Sequence, residues 1–402
     1  MTFKKISVLI LTIILCMTAV QVCATSDAED CIEMVSALGI MRGYEDGEFR
    51  PENLLTRSEA VVTISGMIGL IPEEKENNFY DVPQEHWAKG YVEAAGKARI
   101  VSGVEPGVFQ PESNVTKYQA AVMLVNVMGY GEVIELDEFG NKNYISAIKE
   151  THLFDGIVGD MHTPITREDF AKMICNSLEE KMLDVISYGE ETVVKKKSDT
   201  TVMRAFFDLQ NTSGQITSNE ITGLTGGGIT AEGYVLIEDA LYNVGGTSVA
   251  EQIGRYVTAY YREERTGEKT IVYYRLEDRK SLLVHTDDIL TYKDYVFSYQ
   301  TDASSDTKSV RISPVADVLF NGSYKISVLE DFKPADGTVE LYDSDADGIY
   351  DVVYVKSYTL YLVDKIDYEK RRITDRYHKM MLLLDKAEKL EPPSKTSVQE
   401  QI

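Results

Sequence analysis

Three cations occupy one recurring position: Arg57, Lys117 and Arg167 each directly follow a threonine, and Glu59, Gln119 or Asp169 stands three residues after Thr56, Thr116 and Thr166. A threonine with an acceptor three residues on marks a helix start, since the hydroxyl accepts a hydrogen bond from the third N–H and the later side chain can return the favour. The first two copies fit that reciprocal box, and Asp169 is a shorter variant. A cation in the first turn opposes the positive end of the helix dipole at a cost of a few tenths of a kcal/mol. Its recurrence therefore asks for an anion, and free helix N–H groups beside a cation would hold a carboxylate. The plainer alternative is an ordinary pairing of each cation with a surface carboxylate, which is worth little.

A second set is acidic. Asp343, Asp345, Asp347 and Asp351 fill positions one, three, five and nine of a calcium-loop pattern, with Gly348 at its turn. Position twelve is Tyr354 where a bidentate Glu is needed, and the flanks read as strands. A solvated acidic hairpin tip is the favoured reading, with calcium as the alternative. Catalytic chemistry finds no pattern: His86, His152, His162, His285 and His378 are scattered, and HExxH, GxSxG and Walker-type motifs are absent. No catalytic residue is assigned, no cofactor other than that calcium is implied, and the chain reads as a non-enzyme.

The elements that position the cations repeat as well. Gly43-Tyr44-Glu45-Asp46-Gly47-Glu48-Phe49-Arg50-Pro51 returns sixty residues later as Gly103-Val104-Glu105-Pro106-Gly107-Val108-Phe109-Gln110-Pro111, and in degraded form from Gly156. Helical segments 31–40, 91–98 and 144–151 precede the glycines in register, because Cys31, Tyr91 and Tyr144 each lie twelve residues before Gly43, Gly103 and Gly156. Behind the caps, Ala60, Val61, Ile64 and Ile68 recur as Ala120, Ala121, Leu124 and Met128, then as Phe170, Ala171, Ile174 and Leu178, which gives each helix one apolar face. No unit of this size buries such a face alone, so the three should share one core with pseudo-threefold symmetry.

Bulk properties place the chain outside the cell. Lys4 and Lys5 precede an apolar run ending near Val20, and Val22-Cys23-Ala24 supplies a cleavage site, so residues 1–24 read as a signal peptide. Their loss takes the net charge from −24 to −26 and leaves Cys31 and Cys175, which two unpaired thiols explain better than a disulfide. Nucleic acid is excluded as a partner by the acidity, and no later segment spans a membrane.

The middle copy carries a resemblance to the S-layer homology domain family. It rests on Phe79-Tyr80-Asp81-Val82, His86-Trp87-Ala88, Tyr91, Arg99-Ile100-Val101-Ser102-Gly103, Phe109, Pro111 and Val115-Thr116-Lys117, and it covers roughly residues 27–180. The resemblance implies binding of secondary cell-wall polysaccharide, often pyruvylated, in grooves between repeats on the wall of a Gram-positive-type bacterium. Carried onto this sequence, the groove residues it implies are Arg57, Lys117, Arg167, Asp81, Trp87, Gly43 and Gly103, with Trp87 offering a flat face to a sugar ring. Repeat 1 lacks the Asp-Val and His-Trp elements, repeat 3 lacks the Trp and the Phe-x-Pro turn, and Lys117 stands where Arg is usual, so that groove is expected to be weaker.

The expected architecture is multidomain, α plus β: a signal peptide over 1–24, repeats over 25–71, 77–131 and 137–182, and a linker over 183–205. An antiparallel β-rich region of small barrels or a sandwich follows over 206–366, then a tail over 367–402 with a short helix over 377–390. Within the β region, residues 256–262 and 269–275 flank Thr266-Gly267 as a hairpin. Further strands are expected over 215–223, 233–242, 293–298, 339–342 and 350–363. Similar β-rich segments follow the repeats in clostridial-type surface proteins, a diffuse likeness that assigns no activity; the leading expectation is a β region that faces outward or builds a surface layer, with self-association in that layer. An anchored wall or polysaccharide hydrolase and an anchored glycan-binding adhesin are the alternatives.

Overall fold

The computed structural model describes residues 28–73, 78–132, 134, 143–188, 192–301, 304–325, 332–358, 363–367, 372–375 and 381–383. The expected signal peptide lies outside them. The chain divides into two compact units, Met1–Glu220 with Thr230–Glu277, and Ile221–Ile229 with Asp278–Ile402.

Unit one opens with three helix pairs. They are α1 (Ala28–Ala37) with α2 (Arg57–Met67), α3 (Lys89–Lys97) with α4 (Lys117–Val127), and α5 (Ile145–Glu150) with α6 (Arg167–Leu178). The capping boxes of α2 and α4 form in full, whereas at α6 the Thr166 hydroxyl accepts from Asp169 N–H without reciprocation. The repeated apolar faces merge into one core in which Ala60, Ile64, Ala120, Leu124, Phe170 and Ile174 are all buried. Its axis is a ring of three backbone bonds: Leu55 N–H to Ile165 O (3.2 Å), Ile165 N–H to Val115 O (2.9 Å) and Val115 N–H to Leu55 O (2.9 Å). Each residue comes from the position just before an N-cap threonine, so the three helix starts are tied to a common centre.

Residues 183–205 are not a linker. Their described residues belong to β1 (Lys181–Tyr188) and β2 (Thr192–Thr201), which pair antiparallel, and to a short helix, α7 (Val202–Phe207). The β-branched Val185 and Ile186, then Val193 and Val194, favour strands ahead of the charged Lys195-Lys196-Lys197-Ser198-Asp199 stretch, and Leu183 N–H is anchored on Met128 O at 2.8 Å. A closed barrel follows, built from β3 (Leu209–Ser218), β4 (Tyr234–Ile237), β5 (Ala240–Asn243), β6 (Tyr256–Glu263) and β7 (Lys269–Leu276) in the order β3-β4-β5-β7-β6. The hairpin around Gly267 is β6–β7. The stretch 233–242, read as one strand, is two, because Glu238 turns at φ 50°. The barrel shares the helical core: buried Tyr260 donates to Glu179 Oε1 (2.6 Å), and Tyr273 donates to Asp30 O (3.0 Å).

Unit two holds a seven-stranded sheet. Its strands are β8 (Ser281–His285), β9 (Ile289–Lys293), β10 (Val296–Thr301), β11 (Ser304–Phe320), β12 (Ser323–Tyr324), β13 (Gly337–Tyr342) and β14 (Tyr350–Ser357). They run in the order β8-β13-β14-β11-β10-β9, with β12 beside β11. The expected strand over 293–298 is broken by Asp294 and Tyr295 at φ 52° and 63°, which turn β9 into β10. The pairing is antiparallel except between β11 and β14, which run parallel. A parallel neighbour needs a crossover, and the chain through β12 and β13 provides it. A small sheet of β15 (Val363–Asp367), β16 (Arg372–Asp375) and β17 (Met381–Leu383) ends the described chain. Within the expected helix over 377–390, residues 381–383 are therefore strand, since a short apolar run fits either period; the rest of that stretch lies outside the described residues.

Candidate functional site

Each second-helix cation reaches into the turn of the next repeat. Arg57, at the start of α2, donates from Nε to Phe109 O (2.8 Å) and from Nη2 to Ser102 O (3.2 Å), with its guanidinium 4.6 Å from the Phe109 ring centre. Arg167 closes the circle on repeat 1, donating to Phe49 O and Arg42 O at 2.8 Å each and lying over the Phe49 and Tyr44 rings at 4.6 and 4.9 Å. Lys117 reaches repeat 3, where Nζ donates to Val158 O (2.6 Å) and pairs with Asp169 (2.8 Å). Sequence spacing therefore located three seams related by one pseudo-threefold operation.

The helix N–H groups expected to greet an anion are already taken. Arg57 and Ser58 N–H donate to Ser113 O and Pro111 O, Lys117 and Tyr118 N–H to Thr163 O and Met161 O, and Arg167 and Glu168 N–H to Asn53 O and Pro51 O, all within 2.7–3.1 Å. The third N–H goes to the threonine hydroxyl. The cations are themselves buried, Arg57 at 4%, Lys117 at 7% and Arg167 at 9% exposed, so an anion at a seam would meet what the cation leaves open rather than the helix end. Neither Arg57 nor Arg167 has an ion-pair partner among the described residues, whereas Lys117 is neutralised by Asp169. Burial pulls the Arg57 guanidinium below its ordinary value, and Asp81 pushes the other way.

Asp81, Gly43 and Gly103 shape the turns. Both Asp81 oxygens accept backbone bonds at 2.7 Å, from Phe109 and Gln110 N–H, and so hold the Phe109 peptide that Arg57 grips from the carbonyl side. A Cβ on Gly103 would stand 2.4 Å from Glu105 O, and one on Gly43 would stand 2.6 Å from Gly47 O, so neither turn closes with a side chain there. Trp87 is not a core residue: it is 60% exposed and stacked on His86 at 5.8 Å, while His86 Nε2 lies 2.8 Å from Glu112 Oε1 on the turn that Arg57 clamps. Tyr80, 71% exposed, covers Gly107 of the same turn.

Residue types alone missed the Asp169 pairing with Lys117 and the His86–Glu112 bracket behind Trp87. The first had a signal, since Asp is one carbon too short to close the capping box and its carboxylate is left to turn elsewhere. Cys31 and Cys175 are both buried and are not joined by a disulfide, with Cys175 Sγ 3.6 Å from Met34 Sδ. In unit two, Asp343, Asp345 and Asp351 come together, whereas Asp347 turns to Ile349 N–H at 2.7 Å.

Residues 25–61 and 78–121 match the S-layer homology domain. The third repeat, outside that match, also has a helix pair, a threonine cap and a cation, Arg167, directly after the cap. The chain is 24% identical over 413 residues to the middle cell wall protein of Brevibacillus brevis, covering 87% of this chain and 38% of that protein. It is 29% identical over 87 residues to the cellulosome-anchoring protein of Acetivibrio thermocellus (21% of this chain, 20% of that protein). It is also 32% identical over 93 residues to an endoglucanase of a Bacillus species (23% of this chain, 10% of that protein). The chain thus spans well under half the length of these relatives. Among the described residues no helix is long and apolar enough to cross a membrane. Repeat architecture, matched segments and relatives together identify the chain as a secreted cell-surface protein of the kind that carries S-layer homology domains.

Proposed function

We propose that the helical part of unit one anchors the chain to the cell wall by binding an acidic secondary polysaccharide, with the seam between α2 and the repeat-2 turn as its main seat. The sugar carboxylate, of the pyruvyl type or another, sits toward Arg57, and the ring lies against Trp87. Arg167 supplies a second seat of the same kind without a tryptophan. The observation that carries this reading is a guanidinium without an ion-pair partner among the described residues and an exposed indole bracketed onto the same turn. An exposed tryptophan that contributes nothing to the core is what carbohydrate stacking calls for, and an unneutralised guanidinium favours a planar carboxylate.

The barrel and unit two are then the displayed portion, acting as a surface-layer component rather than as an enzyme. The named likeness to an anchoring protein supports attachment as the task of the repeats, and the relative aligned over most of the chain is a cell wall protein. The test is co-sedimentation of the purified chain with wall sacculi before and after acid removal of the secondary polymer. Binding to intact sacculi and its loss after stripping is the expected result; equal sedimentation with both would overturn the proposal. The whole chain is required, because Tyr260 and Tyr273 tie the barrel into the helical core.

A further inference from the structure

The β13–β14 hairpin tip carries a feature that wall attachment does not use. Tyr342 ends β13, Tyr350 begins β14, and one carboxylate oxygen from each of Asp343, Asp345 and Asp351 lies within 4.8 Å of the other two. Like charges gathered this closely repel unless a cation or protons separate them. None of the three has a Lys or Arg ion-pair partner among the described residues.

An acidic tip in water would be unremarkable, but Asp343 is not in water. It is 2% exposed, its Oδ2 accepts from Gly348 N–H at 3.0 Å, and its buried Oδ1 accepts no hydrogen bond from any described residue. Leaving a buried carboxylate oxygen without a partner is expensive. The other two are preset by the loop. Asp351 accepts from Ser344 N–H (2.7 Å) and from the Ser344 hydroxyl, and Asp345 Oδ1 accepts from Asp347 N–H (3.2 Å). Ala346 at φ 61° and Gly348 at φ 92° turn the loop tightly enough to bring positions one, three and nine together.

We propose that residues 343–351 form a calcium site, with Asp343, Asp345 and Asp351 as its side-chain ligands and Asp343 Oδ1 as the buried anchor. A hard divalent cation taking oxygen ligands in flexible geometry suits three carboxylates and free positions for carbonyls or water better than magnesium, which demands a strict octahedron. Asp347 serves as a loop brace and not as a ligand. With Tyr354 at position twelve, the bidentate carboxylate of stronger sites is missing, so the affinity falls in the range of extracellular modules, a dissociation constant of about 10⁻⁴ to 10⁻³ M.

The experiment is a terbium titration of the chelator-treated full chain. Terbium is a hard trivalent stand-in for calcium, and Tyr342 and Tyr350, at the two ends of the loop, are placed to sensitise its luminescence. Expected are a saturable signal at one ion per chain, displacement by calcium in the stated range, and at least tenfold weaker binding in Asp345→Asn with an unchanged circular dichroism spectrum. Asp345 is exposed, so its substitution tests the site without risking the fold; Asp343→Asn, which keeps the buried shape, should abolish the signal. An unsaturable signal, a signal equal in Asp345→Asn and the parent, or failure of calcium to displace terbium at concentrations well above millimolar would each overturn the proposal.

Discussion

The Arg57 and Lys117 seams occupy equivalent places in the threefold arrangement and differ in chemistry. At the first, a guanidinium grips Phe109 O and Ser102 O, forms no ion pair among the described residues although Asp81 acts on it from nearby, and Trp87 stands exposed beside the turn. At the second, an ammonium is neutralised by Asp169, and Gly159 stands seven residues before its threonine, where repeats 1 and 2 have Phe49 and Phe109. The same backbone ring holds both. The scaffold therefore requires a donor at each seam, because the next repeat aims carbonyls there. A ligand requires charge left over after the scaffold has been served, and only the arginine seams have it.

The comparison can be broken most forcefully from behind. Glu93, 0% exposed, pairs with buried Lys89 at 2.8 Å and accepts from Asn78 and Phe79 N–H, and Phe79 packs on Phe109 at 5.4 Å. Glu93→Gln strips the counter-charge from Lys89 and should cost about 3 kcal/mol in denaturant melts, with wall binding lost along with the repeat-2 frame. Burial by itself would raise the Glu93 carboxyl, but Lys89 and the two N–H donors prevail and hold it below the usual range. Its stabilisation is therefore complete above the unfolded value of about 4.3 and fades as the pH falls through the lower folded value. Glu93→Gln should flatten that acid limb.

Arg57→Ala removes two charge-assisted bonds and should cost about 2–3 kcal/mol together with most of the affinity for sacculi; Arg57→Lys should restore part of the stability and less of the binding. Lys117→Ala should destabilise without a matching loss of binding, which is the sharpest contrast between the two seams. Asp169→Asn leaves Lys117 unneutralised at a stability change of about 1 kcal/mol, and it should raise affinity for sacculi if the counter-ion is what silences that seam. Equal binding by Asp169→Asn and the parent would mean that the missing aromatic residues matter more than charge.

Much of unit one was legible because its rules are local. Thr56, Thr116 and Thr166 with their N3 partners announced the helices, and a fixed twelve-residue spacing announced the pairs. What escaped was long-range. That Ser113, Thr163 and Asn53 carbonyls consume the helix N–H groups depends on how repeats close into a ring, and so does the Lys117–Asp169 pair, formed across 52 residues. The β1–β2 pair was hidden because its lysines and acids outweighed Val185, Ile186, Val193 and Val194 in a reading by composition. The crossover behind the parallel β11–β14 pair leaves no local mark at all. At the acidic loop, spacing supplied the four aspartates, but only burial distinguishes Asp343, with its orphan oxygen, from Asp347.

The claim that the Arg57 seam is the seat of wall attachment is tested most directly by Trp87→Ala, with thermal melting and sacculus sedimentation measured on the same preparation. Because Trp87 is 60% exposed and bonded to nothing in the core, its removal should change stability by no more than about 0.5 kcal/mol. Affinity for unstripped sacculi should nevertheless fall about tenfold or more. An unchanged melting temperature with undiminished sedimentation would place attachment elsewhere on the molecule.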